Sequence, residues 1–304
     1  MRDLLNLPEE DWSDERRKVE TEGWGATLLS CQDRDGLWAG GAFVPRGFSA
    51  SQWRTEGQPW TATSFVLTQL REFGLDPQSE SARRTIELIS YSGRWDHAGE
   101  PFWQGEVEEC INGRTVADGA YFGANVSTIV QRLLADRQPD GGWNCERTNG
   151  SVCSSFATTI NVLEGLLEFE KATGGTTASK QARKAGEAYL LKRHLFRRLK
   201  TGQPADGKFL QLLYPYRWRY DILRALDYFR ASTLFDGGPS DSRLRDSIEF
   251  LRSRQMPDNT WAMDWRLPGR VWFEFDDGPG KPSKWLTLRA LRVLKWWDGG
   301  EEEK

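Results

Sequence analysis

A short turn that recurs five times restricts this chain to a repeat architecture. Gln32-Asp33-Arg34-Asp35-Gly36-Leu37-Trp38 carries the pattern Q-x-x-D-G-x-W in full. Arg137-Gln138-Pro139-Asp140-Gly141-Gly142-Trp143 has its glutamine displaced by one position, and Gln203-Pro204-Ala205-Asp206-Gly207-Lys208-Phe209 ends on phenylalanine. Gln255-Met256-Pro257-Asp258-Asn259-Thr260-Trp261 puts asparagine where glycine stands elsewhere, and Ser92-Gly93-Arg94-Trp95 keeps only the glycine and the tryptophan. The closing aromatics fall at 38, 95, 143, 209 and 261, intervals of roughly 50–65 residues that suit one helix pair per turn. They are expected at equivalent positions in five successive pairs.

The segments around the turns read as helices. Those before the turns, roughly 9–30, 77–91, 124–137, 177–193 and 241–254, carry charged faces, as in Ser81-Ala82-Arg83-Arg84-Thr85-Ile86-Glu87-Leu88-Ile89. Those after the turns, roughly 59–74, 106–121, 155–172, 217–230 and 285–297, are apolar over more of their circumference. Phe156, Ile160, Leu163 and Leu167 make one stripe at helical spacing, and Val162, Leu166 and Phe169 fill the next. Asp76 before Pro77 reads as a helix start, and Gly74 and Gly174 as helix stops. No segment sustains period-two alternation between turn signals. The pattern predicts an all-α chain, an α/α toroid of about five inner and outer helix pairs over 1–298, with a flexible acidic tail at 299–304.

The five turns resemble the QW motifs of squalene–hopene and oxidosqualene cyclases, in the terpenoid cyclase/protein prenyltransferase superfamily of α/α toroids. The resemblance covers nearly the whole chain. It implies an inner ring of helices around an apolar, aromatic-lined cavity, and an isomerase or lyase activity that cyclises an isoprenoid by protonation without a metal. The turn chemistry has a physical rationale. Asp-Gly makes the turn, glutamine supplies amide hydrogen bonds, and tryptophan covers the adjacent helix end.

Composition narrows the partners. A formal charge of −3 over 304 residues offers no electrostatic reason to expect nucleic acid. The N-terminal stretch MRDLLNLPEEDWSDERRK has no apolar core of signal-peptide or membrane-span length, and four cysteines then read as reduced thiols of a cytoplasmic protein. The two histidines and four cysteines show no CxxC or HxxxH spacing, so no metal and no other cofactor is expected.

The cyclases place a D-x-D-D-T acid at the start of an inner helix. No carboxylate pair stands immediately before Thr63, Thr158 or Thr287. The nearest acidic cluster is Glu274-Phe275-Asp276-Asp277 in the loop before the last inner helix, followed by a Gly278-Pro279-Gly280 turn. A carboxyl from Glu274, Asp276 or Asp277 is the expected acid, because mutual repulsion and burial let one of a group keep its proton. Asp221 is the reserve acid, in the aromatic run Tyr214, Tyr216, Arg217, Trp218 and Tyr220.

Trp60, Phe156, Trp218, Tyr220 and Trp285 are the expected aromatic contacts to substrate, since π-faces stabilise positive charge. Glu109, Asn112 and Thr158 are expected at the same cavity mouth. The second inner helix also carries Glu108, Cys110, Arg114 and Thr115, so it builds either a structural network or contacts to a polar ligand. The basic run Lys192–Lys200 suits a diphosphate, a peripheral membrane contact or a solvated helix end. Two other functions fit the same composition: a non-catalytic toroid that binds an apolar or aromatic ligand, and a carbohydrate-active α/α barrel.

Overall fold

The computed structural model describes residues 2–302, and these are helical, with isolated bridges and no strand. In chain order the helices are α1 (Arg2–Leu5), α2 (Glu9–Thr21), α3 (Gly23–Ser30), α4 (Ala50–Glu56), α5 (Thr63–Phe73), α6 (Glu80–Ser92) and α7 (Glu109–Phe122). They continue as α8 (Ser127–Ala135), α9 (Phe156–Thr173), α10 (Thr177–Leu191), α11 (Ile222–Asp236), α12 (Arg245–Ser253) and α13 (Lys284–Glu302). The helices expected after the turns are α5, α7, α9, α11 and α13. Those expected before them are α2 with α3, then α6, α8, α10 and α12. The short α1 and α4 were not foreseen. Expected residues 299–302 of the acidic tail belong to α13, and Glu303 and Lys304 lie outside the described residues. No described helix is long and apolar enough to cross a membrane.

Helix ends follow local chemistry. Gly74 and Gly174 stop α5 and α9 in the left-handed conformation, as expected. The start of α6 differs: Ser79, not Asp76, accepts the capping bond, from the Ala82 N–H. Asp76 instead closes the preceding turn on the Gln78 N–H, so its side chain is spent before the helix begins.

Three of the five turns are equivalent atom for atom. The indole N–H of Trp38, Trp143 and Trp261 donates to the carbonyls of Leu28, Leu133 and Leu251 at 2.6, 2.6 and 2.8 Å. Their backbone N–H groups donate to the hydroxyls of Thr63, Thr159 and Thr287 at 3.0, 3.1 and 3.0 Å. Each turn therefore ties the last carbonyls of one helix to the first turn of the next, using groups that helix ends leave open. Gly36, Gly141 and Asn259 take φ of 87°, 105° and 63°, which explains why asparagine can replace glycine there.

The other two turns depart from the expected equivalence. The Trp95 indole donates downstream, to Phe102 at 2.8 Å. Phe209 has no N–H to give, and Tyr220 from the following segment donates its hydroxyl to Leu195 at 2.6 Å instead.

The five helices after the turns contact one another in succession. Between α7 and α9 the approach is backbone to backbone: a Cβ on Gly113 would stand 2.6 Å from the Asn161 carbonyl, and one on Gly165 would stand 2.3 Å from the Gly113 oxygen. Glycine inside a helix costs about 1 kcal/mol against alanine, so these two are explained by the close packing. Elsewhere ion pairs join the neighbours: Arg71 of α5 with Asp118 of α7, Glu164 of α9 with Arg224 of α11, and Asp227 of α11 with Arg292 of α13. The series returns to α5 at its C-terminal end, where Glu72 meets Arg289 and Phe73 stacks on Trp285 of α13.

Candidate functional site

Two cavities lie against these helices. The larger, about 690 Å³, is lined by α5, α7, α9, α11 and α13, with Asp3, Leu4, Trp12 and Arg16 from the N-terminal helices. Its lining is ionic: 13 of its 24 residues are charged, seven basic and six acidic. The expected cavity was apolar and aromatic-lined; in this one charged groups share the lining with the rings of Trp12, Phe73, Tyr121, Tyr228 and Trp285. The physical reason is how these helices are joined. Arginine–carboxylate pairs join α9 to α11, α11 to α13 and α13 to α5, and the members of those pairs line this cavity. All six acidic groups are engaged, Asp3 and Asp227 by Arg292, Glu15 by Lys18, Glu72 by Arg289, Glu164 by Arg224 and Glu168 by Lys171. Burial alone would raise the Asp227 carboxyl, but Arg292, Arg230 and Arg289 hold it well below the ordinary carboxylate range.

The smaller cavity, about 210 Å³, lies between residues 214–217 and the loop 263–276. Glu274 and Asp276 both line it; Asp277 does not and is exposed. Glu274 is ion-paired to Arg266 at 2.6 Å. Asp276 is half-buried beside Phe275. Burial pushes its carboxyl up, a repulsive contribution from Asp277 adds to that, and a hydrogen bond from the Ser283 hydroxyl at 2.5 Å acts the other way. The expected acids are thus separated into a neutralised glutamate, an outward aspartate and one carboxyl held in a cavity.

Aromatic rings partition the two cavities. Tyr214, which lines the smaller one, stacks on Trp285 at 5.0 Å, and Trp285 stacks on Phe73 at 5.4 Å. Phe73 and Trp285 line the larger cavity, and Phe275 packs edge-on against Phe73, Tyr214 and Trp24. The Trp285 indole N–H is buried and has no hydrogen-bond partner among the described residues. Beside the smaller cavity, Arg217 lies 5.3 Å over the Trp60 ring, and burial together with the Arg114 charge draws its guanidinium down to about 10. Sequence reasoning missed Phe73 and placed Tyr214 in the aromatic run without assigning it to a wall. Neither position carries a motif, and only the packing of α13 on α5 brings them together.

The remaining expected site residues do not gather at one mouth. Trp60 is buried on Phe65, and its indole donates to Pro268 at 2.8 Å. Trp218 donates to Gln58 at 3.2 Å and carries Arg219 over its ring. Phe156 and Tyr220 pack on each other and on Phe209 in the core, away from both cavities. Asn112 is fully buried and closes its own loop, accepting from Glu106 N–H and donating to Glu106 O. Glu109 is buried against Arg147 at 2.9 Å.

Asp221 caps α11, accepting from the N–H groups of Arg224 at 2.7 Å and Leu213 at 3.3 Å. It lines neither cavity, and burial pushes its carboxyl up to about 7. Within the basic run, Leu195 and Phe196 are buried and Arg197 pairs with Asp246, so the run is a helix end folded onto the protein.

Thr158 stands in another constellation. Its hydroxyl oxygen lies 3.3 Å from Cys145 Sγ. Cys145 in turn lies with Cys110 and Glu108, their ligand atoms all within 4.8 Å of one another. Sequence spacing does not reveal this group, because its members come from the start of α7 and from the turn after Trp143.

No protein-family model and no curated protein matches this chain. Among solved structures it is similar to the type II terpene cyclase MstE from Scytonema, at 12% identity and TM-score 0.30, over 93% of this chain and 98% of that one. A variant of the same enzyme in complex with geranylgeranyl dihydroxybenzoate aligns at 14% identity and TM-score 0.31, over 96% and 99%.

Proposed function

We propose that this chain is an α/α toroid built like the terpenoid cyclases, and that it acts on a small molecule with an apolar or aromatic body and a polar end. Asp276 is the acid. It donates its proton to an alkene carbon of the substrate, and the adjacent rings of Phe275 and Tyr214 stabilise the cation that forms. The polar end is held on the charged side of the aromatic partition. One observation carries this reading: Asp276 is a partly desolvated carboxyl, raised in affinity for its proton, in a cavity that the rings of Tyr214 and Phe275 also line. A carboxyl so placed keeps a transferable proton nearer to neutrality.

The test is an activity screen with polyprenyl and prenylated aromatic substrates, followed by Asp276→Asn. The variant keeps the shape and removes the ionisable proton, so turnover falls by about 10²–10⁴ while ligand binding, followed by tryptophan fluorescence, persists. Unchanged turnover in the variant overturns the assignment. A second reading, a toroid that binds without turnover, is favoured by the larger cavity, whose size suits a ligand while each of its carboxylates is engaged in an ion pair. The same pairing counts against a carbohydrate-active enzyme, which needs a carboxylate pair free to exchange protons.

A further inference from the structure

We propose that Glu108, Cys110 and Cys145 form a binding site for a thiophilic divalent cation of the zinc class, with a fourth coordination position open to water or a ligand. The site does not depend on Asp276 chemistry and lies at a different place on the fold.

The three side chains converge from two segments. Glu108 occupies the position just before α7, Cys110 lies in the first turn of α7, and Cys145 opens the short helical turn Cys145–Asn149 that follows Trp143. Their ligand atoms all lie within 4.8 Å of one another. The Cys110 sulfur stands 3.5 Å from Glu108 Oε2. A tetrahedral ion with metal–sulfur bonds of about 2.3 Å and a metal–oxygen bond of about 2.0 Å sets a sulfur–oxygen edge of about 3.5 Å. The observed separation matches that edge without any movement of the backbone.

The surroundings fit a cation better than a structural role. Glu108 stands where a helix-capping side chain would, yet it makes no capping bond and no ion pair among the described residues. The nearby basic residue of the same turn, Arg147, is taken by Glu109 and Asp136. The Thr158 oxygen accepts from the Cys145 N–H at 3.3 Å and from the Ser155 hydroxyl at 2.9 Å. Its own hydrogen is then free for the Cys145 sulfur at 3.3 Å, the kind of outer hydrogen bond that orients a metal-bound thiolate. Loading one divalent ion on the two thiols releases their protons, and affinity rises with pH. Two soft sulfurs and one carboxylate favour zinc over magnesium or calcium, and three protein ligands are the number that leaves a reactive position.

The experiment uses the full chain, reduced, stripped with chelator and dialysed against zinc, then assayed by elemental analysis. Cobalt(II) is titrated in parallel, and its thiolate charge-transfer absorption reports sulfur ligation directly. One ion per chain is expected, with the cobalt absorption saturating at one equivalent. Cys110→Ser and Cys145→Ser should each abolish the absorption, Glu108→Gln should weaken binding at least about tenfold, and Cys31→Ser should change nothing. Circular dichroism on each variant separates lost ligation from lost folding, and the wild-type cobalt spectrum needs no variant at all. Less than one-tenth of an ion per chain, or a cobalt spectrum without thiolate absorption, overturns the proposal. So does a Cys110–Cys145 disulfide that persists under the reducing conditions.

Discussion

The turn around Trp143 and the chamber around Asp227 both bury polar groups, and they satisfy them in opposite ways. At Trp143 the partners are neutral and near in sequence. The indole N–H reaches Leu133 and the backbone N–H reaches Thr159, and the same pair of bonds recurs at Trp38 and Trp261. At Asp227 the partners are charged, and two of the three come from the far end of the chain. Arg230 lies one helical turn away, whereas Arg289 and Arg292 belong to α13. A bond made within one repeat leaves a signature that repeats with it. An ion pair between helices distant in sequence is made once and leaves none. The contrast explains why the turns are regular while the chamber is not the apolar one that the repeat pattern leads one to expect.

The largest test of that contrast is Asp227→Asn. The substitution keeps the shape but leaves three guanidinium groups facing a neutral amide, at a cost of about 3–5 kcal/mol, read by urea unfolding. A loss below about 1 kcal/mol, the range of exposed pairs, would mean that water screens the chamber and that it differs little from a surface. Trp143→Phe probes the other region. It keeps most of the ring but strands the Leu133 carbonyl, and should cost about 1–3 kcal/mol. Because the lost bond is neutral, this cost should stay the same in 1 M salt. A strongly salt-dependent value would erase the distinction.

A third test uses pH at Asp221, where a neutral cap and a buried charge meet in one residue. Its carboxyl is raised to about 7 by burial, above its unfolded value, so the folded state holds the proton after the unfolded chain has released it. Its contribution to stability is therefore greatest at acid pH and falls as pH rises toward 7. Asp221→Asn, which can still accept the Arg224 N–H, should flatten that fall in thermal melts taken across the window. An unaltered slope would show that the carboxyl is not desolvated. The smallest effect belongs to Asn259. With φ at 63°, Asn259→Ala should cost about 1 kcal/mol and Asn259→Gly should stay within about 0.5 kcal/mol. Equal costs for both would separate this turn from those at Gly36 and Gly141.

Much of the helix content was determined by the amino-acid sequence alone. The period of the turns, the apolar stripes of α9 and the stops at Gly74 and Gly174 are local properties, set within a few residues, and the structure has them where they were expected. The departures at Trp95 and Phe209 were visible as weakened motifs, though not the substitute bond that Tyr220 makes to Leu195. The tertiary structure decided the interior. Asn112, Phe156 and Tyr220 looked like cavity residues because inner helices line cavities, yet each is consumed by a loop or by the core. Asp276 and Asp277 are adjacent in sequence, but only one lines a cavity, because the loop turns between them. Cys110 and Cys145 meet although 34 residues separate them and no spacing rule connects them. Local pattern fixes which residues form a helix and which face is apolar. The partner of a buried charge or thiol depends on how helices distant in sequence pack, and that information is spread over the whole chain.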